Sequence, residues 1–503
     1  MIHAELRLLV VAVGLLTAAL LQAQPTFDWA TKLTSASDYP RQGVAADPGG
    51  NVIVAYNSGT PSTNVLTKLN PQGGVMWSQR LSAYIGGIAA DTNGDIYVTG
   101  GAAPGAFAGT GVTPQGTGGA YVAKYDHLGA LQWVQLDGTT QTIRGQAVTV
   151  DQAGNYYMAG YYRAGNAQFG DTVLPSTATD AARTVFVVKY DKTGRLVWAR
   201  VSEGSGYVWV NKIAIDRAGN VFVAGDNGEM LSFGNTVLTG PNEYLVKFDQ
   251  DGNFLWARQT DTAGDSARVA VDQDGNAFMA YRSLHIVASK YSPAGDLLWS
   301  RHSEESGGDV APDVTTDQDG NCLVAGGYGN GTITFENVTL TTVAREEVFV
   351  VKYSSSGELR WGISSIGKNP EGNGTNFRIS DTRMNSIAVS PFGGCFVAGF
   401  FKGTVQFGAT NLVGNANDGL QLAFVTHITD PDTAPPKLQI ARAAQNVTLS
   451  WPVGATNYVL ETATSLPALS WATVTNTPTV TTYERSVQLP VMGNAQFFRL
   501  KKP

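Results

Sequence analysis

The amino-acid sequence predicts an all-β protein: a seven-bladed β-propeller of four-stranded blades closed by its N-terminal strand, followed by a small C-terminal β-sandwich. Three observations carry this: a glycine-rich, charge-poor composition, a phrase that recurs seven times, and a displaced tryptophan near the N-terminus. Of 503 residues, 58 are glycine, 15% are charged and 10% are aromatic. Globular chains average about 7% glycine and about 25% charged residues. Low charge argues against long helices, and 43% apolar content argues against disorder. Glycine without a three-residue period excludes collagen.

The recurring phrase is apolar-small-apolar-Asp-x-x-Gly-Asn-apolar. It occurs at Asp47, Asp91, Asp151, Asp216, Asp272 and Asp317, and in degenerate form at Ser390. Successive copies lie 44, 60, 65, 56, 45 and 73 residues apart, spacings that fit four-strand units with variable loops. Alternating apolar residues on both sides of the turn read as two strands of a hairpin. Asp opens the turn by accepting backbone amides, and Gly and then Asn are expected to take positive φ. The middle of the first strand is always small (Ala45, Ala89, Thr149, Ala214, Ala270, Thr315, Ala388), as a crowded inner strand near an axis requires.

A second phrase, Lys-aromatic-Asp-x-x-Gly-x-x-x-Trp, follows each of the first six copies and supplies two more strands. Its tryptophans are Trp77, Trp133, Trp198, Trp256, Trp299 and Trp361, expected on the wide outer edge between blades. The seventh unit runs into THITDPDTAPP without such a strand, whereas the N-terminal segment PTFDWATKL carries Trp29 in a matching phrase. Trp29 is therefore expected on the outer strand of blade seven, donated from the other end of the chain so that no edge stays open.

The run D-x-x-G-N-V-F-V-A-G, a Phe-Gly element (Phe169-Gly170, Phe233-Gly234, Phe407-Gly408) and F-V-V-K-Y-D-x-x-G resembles the β-propeller repeat of secreted bacterial proteins, often called SBBP, over roughly residues 27–430. That resemblance implies an exported or surface-attached propeller with no defined catalytic residue set. Asp191–Trp198 also resembles the tryptophan-docking motif of quinoprotein dehydrogenases. Those are eight-bladed and commonly carry vicinal cysteines, so blade-to-blade packing is the better reading of the motif.

Residues 1–23 read as a signal peptide: Arg7, an apolar run from Leu8 to Leu21, and cleavage after Ala23. An uncleaved anchor is the competing reading. No later stretch is long and apolar enough for a transmembrane helix. The propeller is assigned to residues 24–430, a linker to 431–436, and a C-terminal module to 437–503. The module's alternating strands and Phe-Phe-Arg-Leu ending resemble the fibronectin-like or immunoglobulin-like modules of large exported bacterial proteins, with Trp451 and Tyr458 in its core.

The formal charge is −7 and there is no basic run, so nucleic acid is not an expected partner. The Asp-Gln-Asp-Gly-Asn segments invite a calcium reading, but no bidentate Glu closes a 12-residue loop and the turn role accounts for them. No cofactor is assigned, with calcium kept as the alternative. Cys322 and Cys395 hold equivalent places in consecutive blades and are expected as buried free thiols.

Strand order places the short, repetitive turns on one face and the variable B–C and D–A connections on the other. Function concentrates in variable loops on rigid scaffolds, so the second face is the candidate. Its loops are shortest in units one and five, which carry Tyr56 and Tyr281 where other units have Gly100, Gly160, Gly225, Gly326 and Gly399. The candidate ligand contacts are Tyr56, Tyr281 and Arg282 at two low points of the rim, with Tyr207 and Trp209 in the connection into unit four. Random loop variation is the alternative. The expected function is a secreted or surface-displayed monomeric scaffold that binds protein or polysaccharide without catalysis. The alternative is an extracellular lyase or glycosidase on the same face.

Overall fold

The computed structural model describes residues 24–33, 43–57, 64–103, 105–111, 119–138, 143–163, 165–175, 182–304, 312–329, 331–342, 346–368, 381–414, 421–431, 438–443, 446–452, 458–464, 470–481, 484–490 and 496–501. The segment read as a signal peptide and most of the linker lie outside them. The fold is all-β and of propeller type.

Among the described residues before the C-terminal part, seven four-stranded antiparallel sheets share one plan, and in six of them the four strands pair in chain order from the inner strand to the outer. Sheet four is representative: Val208–Ile215, Val221–Asn227, Asn242–Phe248 and Phe254–Gln259. The first strands of successive sheets touch one another in order, and that of sheet seven (Asp381–Val389) touches that of sheet one (Gly43–Ala46). Sheet seven takes its outer strand from the N-terminus: Thr26–Lys32 pairs with Leu422–Thr429, with Trp29 opposite His427. Apolar clusters fill the gaps between neighbouring sheets. One joins Val52, Val54 and Tyr56 of sheet one to Phe396 and Val425 of sheet seven. Each large apolar side chain enclosed in this way contributes about 1.5–3 kcal/mol.

The repeated turns show why their residues are needed. Asp216 Oδ1 accepts the backbone amides of Ala218 and Asn220, and its Oδ2 accepts the Asn220 side-chain amide at 2.7 Å. Positive φ falls on the turn glycine alone, Gly219 at 83°. The expectation that Asn also takes positive φ is thus corrected: Asn is selected for its bond to the Asp, not for a left-handed backbone.

Tryptophans lock each sheet to the next. The indole Nε1 of Trp77, Trp198, Trp256 and Trp299 donates to the backbone carbonyls of His127, Gln250, Pro293 and Ser355 in the following sheet's outer turn. Trp29 does the same to Pro71 of sheet one at 2.8 Å. Gly73 lies beneath that ring, where a Cβ would come within 2.6 Å of it. Trp133 departs from the pattern and packs its ring against Tyr97 and Tyr156.

Near the axis, Asp313 of sheet six is fully buried. It pairs with Lys212 of sheet four at 2.6 Å and Arg268 of sheet five at 3.3 Å, and accepts Ser386 Oγ and Ile387 N of sheet seven. Burial pushes its carboxyl pKa up, but the two cations outweigh burial and the net shift is downward.

The Phe-Gly elements are two-stranded hairpins on the loop face. Each is met by the connection leaving the previous sheet: Glu203–Ser205 pairs with Met230–Phe233, and Ile366–Lys368 with Thr404–Phe407. C-terminally, two small sheets, Gln439–Ala443 with its three partners and Val459–Ala463 with its two, enclose Leu449, Trp451, Leu460 and Val487. Cys322 and Cys395 are buried and unbridged, and burial raises both thiol pKa values.

Candidate functional site: an aromatic and cationic cluster on the loop face

The candidate residues separate into three places. Tyr56 is 3% exposed and packed in the core between sheets one and seven, so its ring is filler there rather than the floor of an open rim. Tyr281 is also buried, at the end of the second strand of sheet five, and burial pushes its hydroxyl up to about 12. Arg282 beside it is ion-paired to Asp265. Sheet five has the short connection expected, Ser283 to His285 closing it with a 2.9 Å backbone bond.

Tyr207 and Trp209 do come together. Trp209 lies in the first strand of sheet four rather than in the connection before it, and Tyr207, just ahead of that strand, is 54% exposed. Trp209 is held by its backbone, since its carbonyl accepts the Tyr244 hydroxyl at 3.0 Å. The same carbonyl explains Gly225 opposite it: a Cβ there would sit 1.8 Å from the oxygen.

Both rings surround a residue that the sequence reading missed. Arg183, just before the third strand of sheet three, places its guanidinium carbon 3.7 Å from the Trp209 ring centre, 4.2 Å from Tyr161 and 5.2 Å from Tyr207. Tyr161 and Trp209 meet edge to face at 5.5 Å, forming a corner around the cation. Arg183 is 7% exposed, and its Nε and Nη1 are buried without a hydrogen-bond partner. Burial lowers its pKa, though a guanidinium stays charged. Arg144 stacks on Tyr84 at 5.4 Å nearby. The signal in the sequence was local: Tyr161-Tyr162-Arg163 directly after Gly160, and an arginine just before the next Val-Phe-Val-Val strand.

An acidic wing adjoins this cluster across sheet four. Asp226, opposite Trp209 in register, is held by Asn211 Nδ2 and Ala267 N, and burial raises its pKa. Glu243 is fully buried, accepts Thr260 Oγ1 at 2.6 Å, and is pushed up to about 7, chiefly by burial.

On the opposite, turn face, an open cleft of about 660 Å³ is lined by Asp151, Asp216, Asp272, Gln152, Arg217 and Gln273. The aspartates there hold their own turns together. The Asp-x-Asp-Gly-Asn segments read for calcium spend their oxygens in the same way: Asp317 binds the amides of Asp319 and Asn321 and the Asn321 side chain. Among the described residues, no group of three or more His, Cys, Asp or Glu is arranged to hold a metal ion.

A family model described as "Beta-propeller repeat" (SBBP) matches residues 197–226. The chain is similar to an uncharacterized WD repeat-containing protein of Acanthamoeba polyphaga mimivirus, 27% identical over 252 residues, which are 46% of this chain and 16% of that protein. The match therefore spans a small part of that relative's length. Among solved structures, it is similar to virginiamycin B lyase from Staphylococcus aureus (8% identity, 80% of this chain and 99% of that one, TM-score 0.40). It is also similar to BamB from Moraxella catarrhalis (12% identity, 80% and 99%, TM-score 0.35). Repeat, sheet order and family match agree that the chain is a β-propeller repeat protein.

Proposed function

We propose that the protein is an exported, monomeric seven-bladed β-propeller, with a C-terminal β-sandwich module, that binds an extracellular protein or polysaccharide through its loop face and catalyses no reaction on it. The observation that carries this reading is the exposed Tyr207 beside Trp209 and Arg183, a rigid aromatic and cationic surface mounted on strand ends. Aromatic and arginine anchors of this kind dominate binding surfaces. Export rests on the charged start and apolar run of residues 1–23. The seven-bladed ring is supported by the cyclic contacts of the first strands and by the borrowed outer strand of sheet seven.

The rival reading, a lyase or glycosidase, is favoured by Glu243, whose pKa near 7 suits a general acid or base. Glu243 is fully enclosed and bonded to Thr260, out of reach of a polymer, so binding is the preferred reading. A glycan array combined with pull-down from cell-envelope fractions tests this. Saturable capture without product, weakened in Tyr207→Ala, is expected. Release of cleaved polymer would establish the enzyme instead, and capture unaffected by loop-face variants would remove the face.

A further inference from the structure

We propose that Arg183, Arg144, Tyr161, Tyr207 and Trp209 form a subsite for an anionic polysaccharide, the guanidinium groups taking its carboxylate or sulfate and Tyr207 stacking on a sugar ring. This rests on the reading above that the loop face is the binding face, and adds the ligand's charge.

Three observations point to an anion, and a fourth to a polymer. First, Arg183 is more than nine-tenths buried, and its Nε and Nη1 find no acceptor in the protein. A buried cation is costly unless paired, and the aromatic faces beside it replace only part of a counter-ion. Second, no carboxylate ion-pairs with Arg183 among the described residues, in a chain that carries 41 acidic residues against 34 lysines and arginines. Third, the neighbouring charges felt by Arg183 include Arg163 and Arg144, both of its own sign. Three guanidiniums gathered at one rim make a local positive field on an acidic protein, and arginine recognises planar carboxylates and sulfate-like groups with two parallel hydrogen bonds.

The fourth observation separates a sugar polymer from a small anion. Tyr207 is 54% exposed beside the guanidinium, and the Arg144–Tyr84 pair extends the surface toward sheet two. Repeated cation-and-ring units match a polymer that alternates charged groups with the apolar faces of pyranose rings. On the other side the surface is bounded by Asp226, opposite Trp209 in register, which offers an anion no positive partner.

The test measures binding of the full chain to polygalacturonate (carboxylate arm), dextran sulfate (sulfate arm) and neutral dextran, at low and high ionic strength. The expected result is binding to one or both polyanions that weakens with salt, and no binding to dextran. Arg183→Met is expected to weaken that binding by about tenfold or more, the scale of one lost charge-assisted contact. Because Arg183 is buried, a thermal melt checks that the variant folds. The exposed variants Arg144→Gln and Tyr207→Ala give an independent reading and are each expected to weaken binding by a few-fold. Equal binding of dextran and the polyanions, or full binding by all three variants, would overturn the anionic subsite while leaving the loop face to the array and pull-down test. Polyanion binding abolished by Arg217→Gln on the turn face would overturn both the subsite and the choice of face. No polyanion binding by the folded chain would overturn the subsite alone.

Discussion

Trp361 donates its indole N–H to the carboxylate of Asp430 at 3.0 Å, across 69 residues of sequence. Most of the other edge tryptophans bind a backbone carbonyl in the next sheet's outer turn. The seventh unit has no such turn, because its outer strand comes from the N-terminus. Asp430 stands in for the missing carbonyl and also takes the ammonium of Lys352, which is buried between it and Asp317.

Removing that carboxylate leaves Lys352 with Asp317 alone. Asp430→Ala is expected to destabilise the protein by ~2–4 kcal/mol, toward the lower part of the range for breaking a buried pair because one partner survives. Asp430→Asn keeps an acceptor for Trp361 and should cost less. Denaturant unfolding of the two variants checks both the size and the order.

Trp29 tests the borrowed strand. Trp29→Ala deletes a ring that covers Gly73 and the bond to Pro71. The expected cost is ~2–4 kcal/mol, for a large side chain that is only partly buried. Hydrogen exchange should show lost protection in Leu422–Thr429, its partner strand, before any loss in sheet four.

The hairpin turns of the loop face offer a stabilising substitution. Gly170, Gly234 and Gly408 take φ of 53°, 53° and 56°, and Glu336 takes 49° at the equivalent place. A non-glycine residue pays about 1 kcal/mol there. Glu336 recovers part of that through a half-exposed pair with Arg301 at 3.2 Å, a contact typically contributing under ~1 kcal/mol. Glu336→Gly is therefore expected to gain about 0.5 kcal/mol, read as a small rise in Tm.

Glu243 makes stability depend on pH. Its folded pKa is raised from an ordinary 4.5 to about 7. The unfolded chain therefore releases this proton at lower pH than the folded protein. The Glu243 contribution is fully present below about 4.5 and is lost as pH rises through about 7. Asp137, raised to about 6 by burial, acts in the same direction. Glu243→Gln should flatten this part of the profile by ~1–3 kcal/mol between the two limits, measured by denaturant midpoints across that range.

The repeat made much of the fold legible, because a pattern written seven times averages out local noise. Small residues such as Ala214 marked the inner strands, and Trp29 marked the N-terminal strand that pairs into sheet seven. The role of Asn220 was misread because propensity and hydrogen bonding favour the same residue at that place, and the backbone alone tells them apart. The site was harder to see. Tyr207 and Trp209 were visible as local aromatics, but Arg183 sits 26 residues before Trp209 and outside the repeat. Its position depends on how sheet three packs on sheet four. The axial trio Lys212, Arg268 and Asp313 was hidden for the same reason, since it joins residues of different sheets at positions with no shared repeat identity. Tyr56 and Tyr281 were placed at the rim from loop length, whereas neighbouring sheets close over both rings.

Hydrogen exchange on the full chain, with and without a ligand captured by array or pull-down, addresses the choice of binding face most directly. With the loop face as the binding face, protection is expected only at Tyr161–Arg163 and Glu203–Val210, around Arg183. Protection instead at Asp151–Asn155 and Asp216–Asn220, on the turn face, would contradict it.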